Sequence, residues 1–151
     1  MKISQLKTFV GLLLASVGSA VLIDFPAAAN PYVNQIKAQL IMGARSVGLG
    51  GYQATHTPKI GQLRDNTQTN IGLNLRSGAT YKLVGVCDSD CGDLDLQLLD
   101  SNGNVIDTDV EYDDYPVVSV TPRWSDRFVI RVGMPSCNAT YCNYGVGVFG
   151  R

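Results

Sequence analysis

The sequence is poor in the groups that hydrolytic and nucleotide-using enzymes rely on. Its only histidine is His56, in Ala54-Thr55-His56-Thr57-Pro58. A Ser–His–Asp triad would have to use it, and no G-x-S-x-G element accompanies it. The chain also lacks H-E-x-x-H, P-loop and G-x-G-x-x-G signatures. A glycosidase-type carboxylate pair stays open, because aspartates abound. After the first 29 residues no apolar run approaches the roughly 20 residues that span a bilayer. Positive charge is missing from the middle: between Lys82 and Arg123 there is no Lys or Arg. That interval instead holds Asp88, Asp90, Asp93, Asp95, Asp100, Asp107, Asp109, Glu111, Asp113 and Asp114. Such a block repels phosphates and argues against nucleic acid. It favours a cation, a basic partner or plain solubility.

What is present at the start reads as a secretory signal over residues 1–29. Lys2 and Lys7 form a positive n-region, and Thr8 to Ile23 is apolar. Ala27-Ala28-Ala29 places small residues at −3 and −1, so Asn30 becomes the first mature residue. Cleavage after Ala20, with Gly18 at −3, is the weaker alternative. An uncleaved anchor is disfavoured, because the run is short and Asp24-Phe25-Pro26 ends it. The first cysteine is Cys87, so no lipid-anchored cysteine sits near the cleavage point. The chain left after cleavage has about 120 residues, the size of one domain.

Four cysteines in an exported chain imply two disulfides. Three pairings exist. Cys87–Cys91 and Cys137–Cys142 are the simplest, since each closes a short loop. The chain-entropy account gives such a loop about 2 kcal/mol. A four-cysteine zinc site is the rival reading, but an oxidising compartment does not suit it.

Two patterns follow one another along the remaining chain. Asn30-Pro31 starts a helix, with Asn as N-cap and Pro at the first helical position. Val33, Ile36, Leu40, Ile41 and Ala44 recur at helical spacing, and Gly48, Gly50 and Gly51 stop it. Residues 30–50 thus form an amphipathic helix and a Gly-rich turn. From residue 51 to 151 the period changes to two. Strands are expected at Thr69–Leu75, Ala79–Val86, Asp93–Leu99, Asn104–Thr108, Val117–Thr121, Arg127–Met134 and Tyr144–Phe149. Leu94, Leu96 and Leu98 point inward and Asp93, Asp95 and Gln97 outward. Asn102-Gly103 marks a hairpin turn. The fold class is all-β, a β-sandwich or jelly roll with one N-terminal amphipathic helix.

Two constellations are candidate sites. Asp88, Asp90, Asp93 and Asp95 are candidate calcium ligands, because calcium takes six to eight oxygens and carboxylates supply them. The spacing is not that of an EF-hand: counted from Asp88, position six is Asp93 and position twelve is Leu99. The alternative is that these residues cap turns and keep a surface wet. The second constellation is aromatic. Tyr112 and Tyr115 stand among carboxylates in one loop, with Trp124 and Tyr141 in others. Together they suit a polysaccharide or a basic peptide. The alternative is a solvated connection with one Tyr packed inward. Asn138-Ala139-Thr140 is a glycosylation sequon, relevant only to a eukaryotic secretory route.

Residues 61–149 resemble the bacterial pre-peptidase C-terminal domain family. The matching features are Gly78-x-x-Tyr81 before a strand and Asp93-Leu94-Asp95-Leu96-x-Leu98-x-Asp100 with Asn102-Gly103. Phe128-Val129-Ile130-Arg131-Val132 before a Tyr144 strand completes them. The resemblance implies a secreted β-sandwich of the kind appended to exoenzymes. Some members look like calcium-dependent collagen or carbohydrate binders. This chain departs in lacking a catalytic domain and in its two close cysteine pairs, so it looks like a stand-alone relative. The helix lies outside the resemblance.

These readings converge on a periplasmic or extracellular, disulfide-stapled binding or accessory module. Catalytic residues are not assigned. Calcium is the one cofactor suggested. The partner is a polysaccharide, a basic peptide or an envelope protein, with no nucleic acid and no membrane span after cleavage. A secreted hydrolase and a ligand-free structural envelope protein are the alternatives. The export reading makes a direct prediction. Intact mass of the protein recovered from the envelope or medium should correspond to a chain starting at Asn30, and a membrane-held chain retaining Met1 would refute it.

Overall fold

The computed structural model describes residues 31–46 and 48–151. The expected signal segment, its cleavage point and the Asn30 cap lie outside the described residues. Among the described residues there are one helix and nine strands. They are α1 (Pro31–Ser46), β1 (Gln53–Ala54), β2 (Lys59–Leu63), β3 (Thr67–Leu75) and β4 (Tyr81–Cys87). β5 (Cys91–Leu99), β6 (Val105–Asp109), β7 (Val117–Val120), β8 (Asp126–Cys137) and β9 (Cys142–Gly150) follow. Two antiparallel sheets form. One runs β1-β9-β4-β7, with β2 also paired to β9, and the other runs β3-β8-β5-β6. The expected β-sandwich with one helix is what the chain adopts. The expected strands are present, and β1 and β2 add to them. Lys59-Ile60-Gly61-Gln62-Leu63 has too few alternating apolar positions to announce itself, and pairing along all five residues with β9 makes it a strand.

Alternation builds the core. Leu94, Leu96 and Leu98 of β5 are fully buried, opposite Leu83 of β4 and Val146 of β9. β4 is covered on both faces. Tyr81, Leu83 and Cys87 belong to the inter-sheet core, while Val86 joins Ile36 and Leu40 under the helix. β9 supplies the helix seat. A methyl group on Gly145 would collide with the Ile36 side chain, so only a bare backbone lets α1 lie this close. The helix ends as the glycines require. Gly48 takes φ 68°, Leu49 N–H bonds the Ala44 carbonyl at 3.1 Å and Gly48 N–H the Arg45 carbonyl at 3.3 Å. The buried stripe is narrower than the spacing suggests. Ile41, expected on the packed face, is 58 % exposed, and Gly43 is buried in its place.

Both expected disulfides are present. Cys87–Cys91 joins the end of β4 to the start of β5, so it bridges the sheets at a crossover. Cys137–Cys142 does the same between β8 and β9. Cys91 and Cys137 are also register partners across β5 and β8, so the two crossovers stand side by side. Adjacent loops therefore do not need cross-linked pairing. Asn138 N–H reaches the Asp90 carbonyl at 2.8 Å and ties one loop to the other.

The other side of the sandwich is closed by carboxylates. β6 and β7 are the edge strands of opposite sheets. Asp109 Oδ2 accepts the Val117 N–H at 2.8 Å, and Asp107 Oδ2 accepts the Ser119 N–H at 2.7 Å. Side chains thus stand where a neighbouring strand's carbonyls would be, and they cover an otherwise open edge. A bond from a backbone N–H to a charged acceptor contributes about 1.5–3 kcal/mol when buried, and less at a half-exposed edge. Replacing both residues, Asp107→Ala with Asp109→Ala, should lower unfolding free energy by roughly 2 kcal/mol in urea titrations. An unchanged midpoint and slope would show that the clamp contributes nothing.

Candidate functional site

The acidic end of the sandwich distributes its four aspartates among different tasks. Asp88, only 3 % exposed, extends the β4–β9 pairing, and its Oδ2 accepts both the backbone N–H and the Nδ2 of Asn143, at 2.8 and 2.6 Å. Asn143 Oδ1 in turn accepts Gln62 Nε2 at 2.9 Å, so one polar chain crosses the ends of three strands. Asp90 is exposed, and its carbonyl serves the other crossover loop. Among the described residues no group of three or more His, Cys, Asp or Glu side chains is placed to hold a metal. The four-carboxylate set expected from the sequence is therefore not gathered at one point.

Asp93 and Asp95 remain as a pair. They lie on β5 where its register against β8 shifts twice, between Cys91 and Asp93 and between Asp93 and Asp95. Bulges of this kind re-aim side chains. Asp93 was expected to face water but is 7 % exposed. The cover comes from the loop after β6, whose Asp113 carbonyl accepts the Leu94 N–H at 2.9 Å. Oδ1 of Asp93 and Oδ1 of Asp95 are both buried without a hydrogen-bond partner. Burial raises the pKa of Asp93, with the Asp113 carboxylate adding to it and the N–H groups of Asp113 and Leu94 opposing. Burial also raises Asp95, helped by the charges of Asp93 and Asp109.

The aromatic set separates in space. Tyr115 is the one tyrosine packed inward, as the alternative reading of its loop has it, and not part of a binding face. Its Oη donates to the Gln39 carbonyl of α1 at 2.6 Å, and its ring occupies the space a side chain on Gly43 would need. Tyr112 is 80 % exposed and stands near Gly92 at the start of β5. Trp124 is 67 % exposed and lies beyond the other end of that strand, beside Asp100 and Ser101. Eight residue steps separate Cys91 from Leu99, roughly 26 Å at strand rise. Tyr141 lies in the β8–β9 crossover and packs under Arg64, whose guanidinium lies 4.9 Å from the ring centroid and donates to its hydroxyl at 2.6 Å. The sole histidine is also engaged: His56 Nε2 donates to the Asn74 carbonyl at 3.0 Å, and Nδ1 lies 2.9 Å from Thr55 Oγ1.

Trp124 has neighbours that sequence reading did not assemble. A cleft of about 200 Å³ runs between the β5–β6 hairpin and the β7–β8 connection. Ile106, Val120, Pro122 and Phe128 form its apolar wall, and Asp100, Ser101, Arg123 and Asp126 its polar rim. Asp100 holds the hairpin, with Oδ1 accepting the N–H groups of Asn102 and Asn104 at 2.9 and 2.8 Å. The Asn104 side chain, followed by its backbone N–H, keeps Asp100 below the usual carboxylate range. The Ser101 hydroxyl, 2.7 Å away, does the same for Asp126, with help from the Arg127 N–H and the Trp124 indole. The available signal was the Asn102-Gly103 turn, which brings β5 residues beside whatever precedes β8.

No protein-family model matches this chain, and no curated protein matches it in sequence.

The two carboxylate pairs oppose one another in pH dependence. Folded-state values of Asp93 and Asp95 lie above the unfolded ones, so the fold binds more protons than the unfolded chain in that window. These two groups stabilise the fold increasingly as pH falls through their raised values. Asp100 and Asp126 contribute stability at neutral pH that is lost as pH falls through their lowered values. In chelator, Asp93→Asn should therefore raise the melting temperature at neutral pH and raise it progressively less as pH falls through the raised value of Asp93. A variant that melts lower at both would show that the ionised carboxylate is well solvated in the fold.

Proposed function

We propose that this chain is an exported, non-catalytic binding or accessory module, and that the Asp93–Asp95 pair takes a divalent cation. The chain is a disulfide-stabilised β-sandwich, and among the described residues no helix is long and apolar enough to cross a membrane. Oxidised crossover loops support export to the periplasm or the medium. The resemblance to the pre-peptidase C-terminal domain family supports an accessory role for a stand-alone relative. A role without catalysis is supported by the partners of His56, a backbone carbonyl and the neighbouring Thr55 hydroxyl, where a triad would have a carboxylate on one ring nitrogen.

The single observation that carries the cation reading is the pair of buried, unpartnered oxygens that Asp93 and Asp95 carry at the bulged start of β5; a third, on Asp88, belongs to a carboxylate already anchored by Asn143. A buried carboxylate oxygen without a donor is costly, and two charged ones side by side repel. A hard divalent cation relieves both penalties. Calcium fits better than magnesium, because it accepts irregular oxygen sets and fills vacant positions with water. Asp93 and Asp95 would be the protein ligands, while Asp88 stays on Asn143.

Millimolar calcium should raise the melting temperature of the chelated protein. Ligand at 100 times its dissociation constant adds about 2.7 kcal/mol. Asp95→Asn should abolish most of that gain, while Asp88→Asn should destabilise the fold without removing the response. Melting curves that ignore calcium at low ionic strength would sink the cation reading.

A further inference from the structure

The Trp124 cleft lies at the far end of β5 from the Asp93–Asp95 pair and serves no purpose in the fold's core. Trp124 leaves 67 % of its surface in solvent and adjoins exposed Ile106 and the cleft wall of Val120, Pro122 and Phe128, so it belongs to an apolar patch and is not a lone exposed ring. Beside it the rim is fixed: Asp126 accepts the Ser101 hydroxyl and the Arg127 N–H, each at 2.7 Å, and Asp100 accepts the N–H groups of Asn102 and Asn104. The ring is a platform beside acceptors that are already in place, so little ordering entropy is lost in that rim when a ligand arrives.

Around that platform the polar groups are mixed in kind. Asp100 and Asp126 are acceptors, Arg123 is a donor, and Ser101 and Asn102 can be either. A cationic ligand would meet Arg123, and an anionic one would meet two carboxylates. A neutral ligand bearing many hydroxyls can use all of them at once. The volume of about 200 Å³ is below the roughly 300–1,000 Å³ of pockets that enclose drug-sized ligands. It suits one ring resting on the indole, with the rest of a chain running out over the surface.

We propose that the Trp124 cleft is a saccharide-binding site, in which one sugar ring stacks on the indole and its hydroxyls bond Asp126, Arg123 and Asn102. The proposal names the ligand class for the binding-module reading and rests on it, but not on the cation. The two surfaces are at opposite ends of β5 and are tested separately.

Trp124 is the only tryptophan, so its emission reports the cleft without labelling. The signal-free protein is titrated with soluble cello-, malto-, xylo- and chito-oligosaccharides, in calcium and again in chelator. At least one series should change the emission saturably and show matching heat by calorimetry. Trp124→Ala should abolish the heat, and Arg123→Ala should weaken binding by about tenfold or more, with melting temperatures unchanged. Trp124→Phe should retain part of the affinity, which separates stacking from a structural role of the indole. Three results would overturn the proposal. They are no binding by any series at millimolar concentration, binding that survives Trp124→Ala, and salt-sensitive binding of a lysine-rich peptide at Trp124 in place of sugar. Binding that survives Trp124→Ala would leave the module reading standing and move the site elsewhere. A missing calcium response with intact sugar binding would remove the cation alone.

Discussion

The structure depends on one corner, where the chain passes between the sheets twice in adjacent positions. β4 crosses to β5 and β8 crosses to β9, and each crossing is locked by a disulfide. The register of Cys91 against Cys137 makes the two crossings a single unit. Every central strand of both sheets enters or leaves there. The corner therefore sets the separation of the sheets and the offset of their inner faces. Short disulfide loops remove little chain entropy, about 2 kcal/mol each. Their larger effect is geometric: they hold the bulged start of β5, where Asp93 and Asp95 are re-aimed.

Concentrated acidic charge in one stretch of sequence invites a single explanation, and the structure divides it into several. Asp88 acts as a cross-strand clamp, Asp107 and Asp109 as substitutes for a missing strand, and Asp100 as the core of a hairpin turn. Each accepts backbone N–H groups, which a carboxylate does better than any neutral side chain. Asp88, Asp93 and Asp95 each keep one buried oxygen without a donor, but Asp88 is anchored through its other oxygen to Asn143, whereas burial raises the pKa of Asp93 and of the half-buried Asp95. Function is better sought in the carboxylates the fold does not use than in the density of the block.

Local pattern carried much of this into view. The Leu94-x-Leu96-x-Leu98 alternation announced the core strand, the cysteine spacing announced the pairing, and the helix could be read from Pro31 to its glycine stop. What stayed hidden depended on contacts between distant residues. Asp93 is covered by Asp113, Tyr115 is claimed by Gln39 and Gly43, and β2 is a strand only because β9 offers it an edge. Ile41 misled because the helix meets its sheet along a narrow line above Gly145, leaving the flank of the helix free. The aromatic set failed as a set for a related reason. Tyr112 and Trp124 are twelve residues apart in sequence but at opposite ends of a nine-residue strand in space.

The placement of β9 has a consequence for the order of folding. The ninth strand is the centre of its sheet: it pairs with β1, β2 and β4 and also forms the seat of α1. Without residues 142–150 the helix has no floor and β1 and β2 have no partner. The other sheet can assemble earlier, since β3, β5, β6 and β8 are complete by residue 137. Such late, long-range closure is slow and leaves apolar faces open for as long as it is pending. A chain wired this way closes its second sheet only when its last strand is in place.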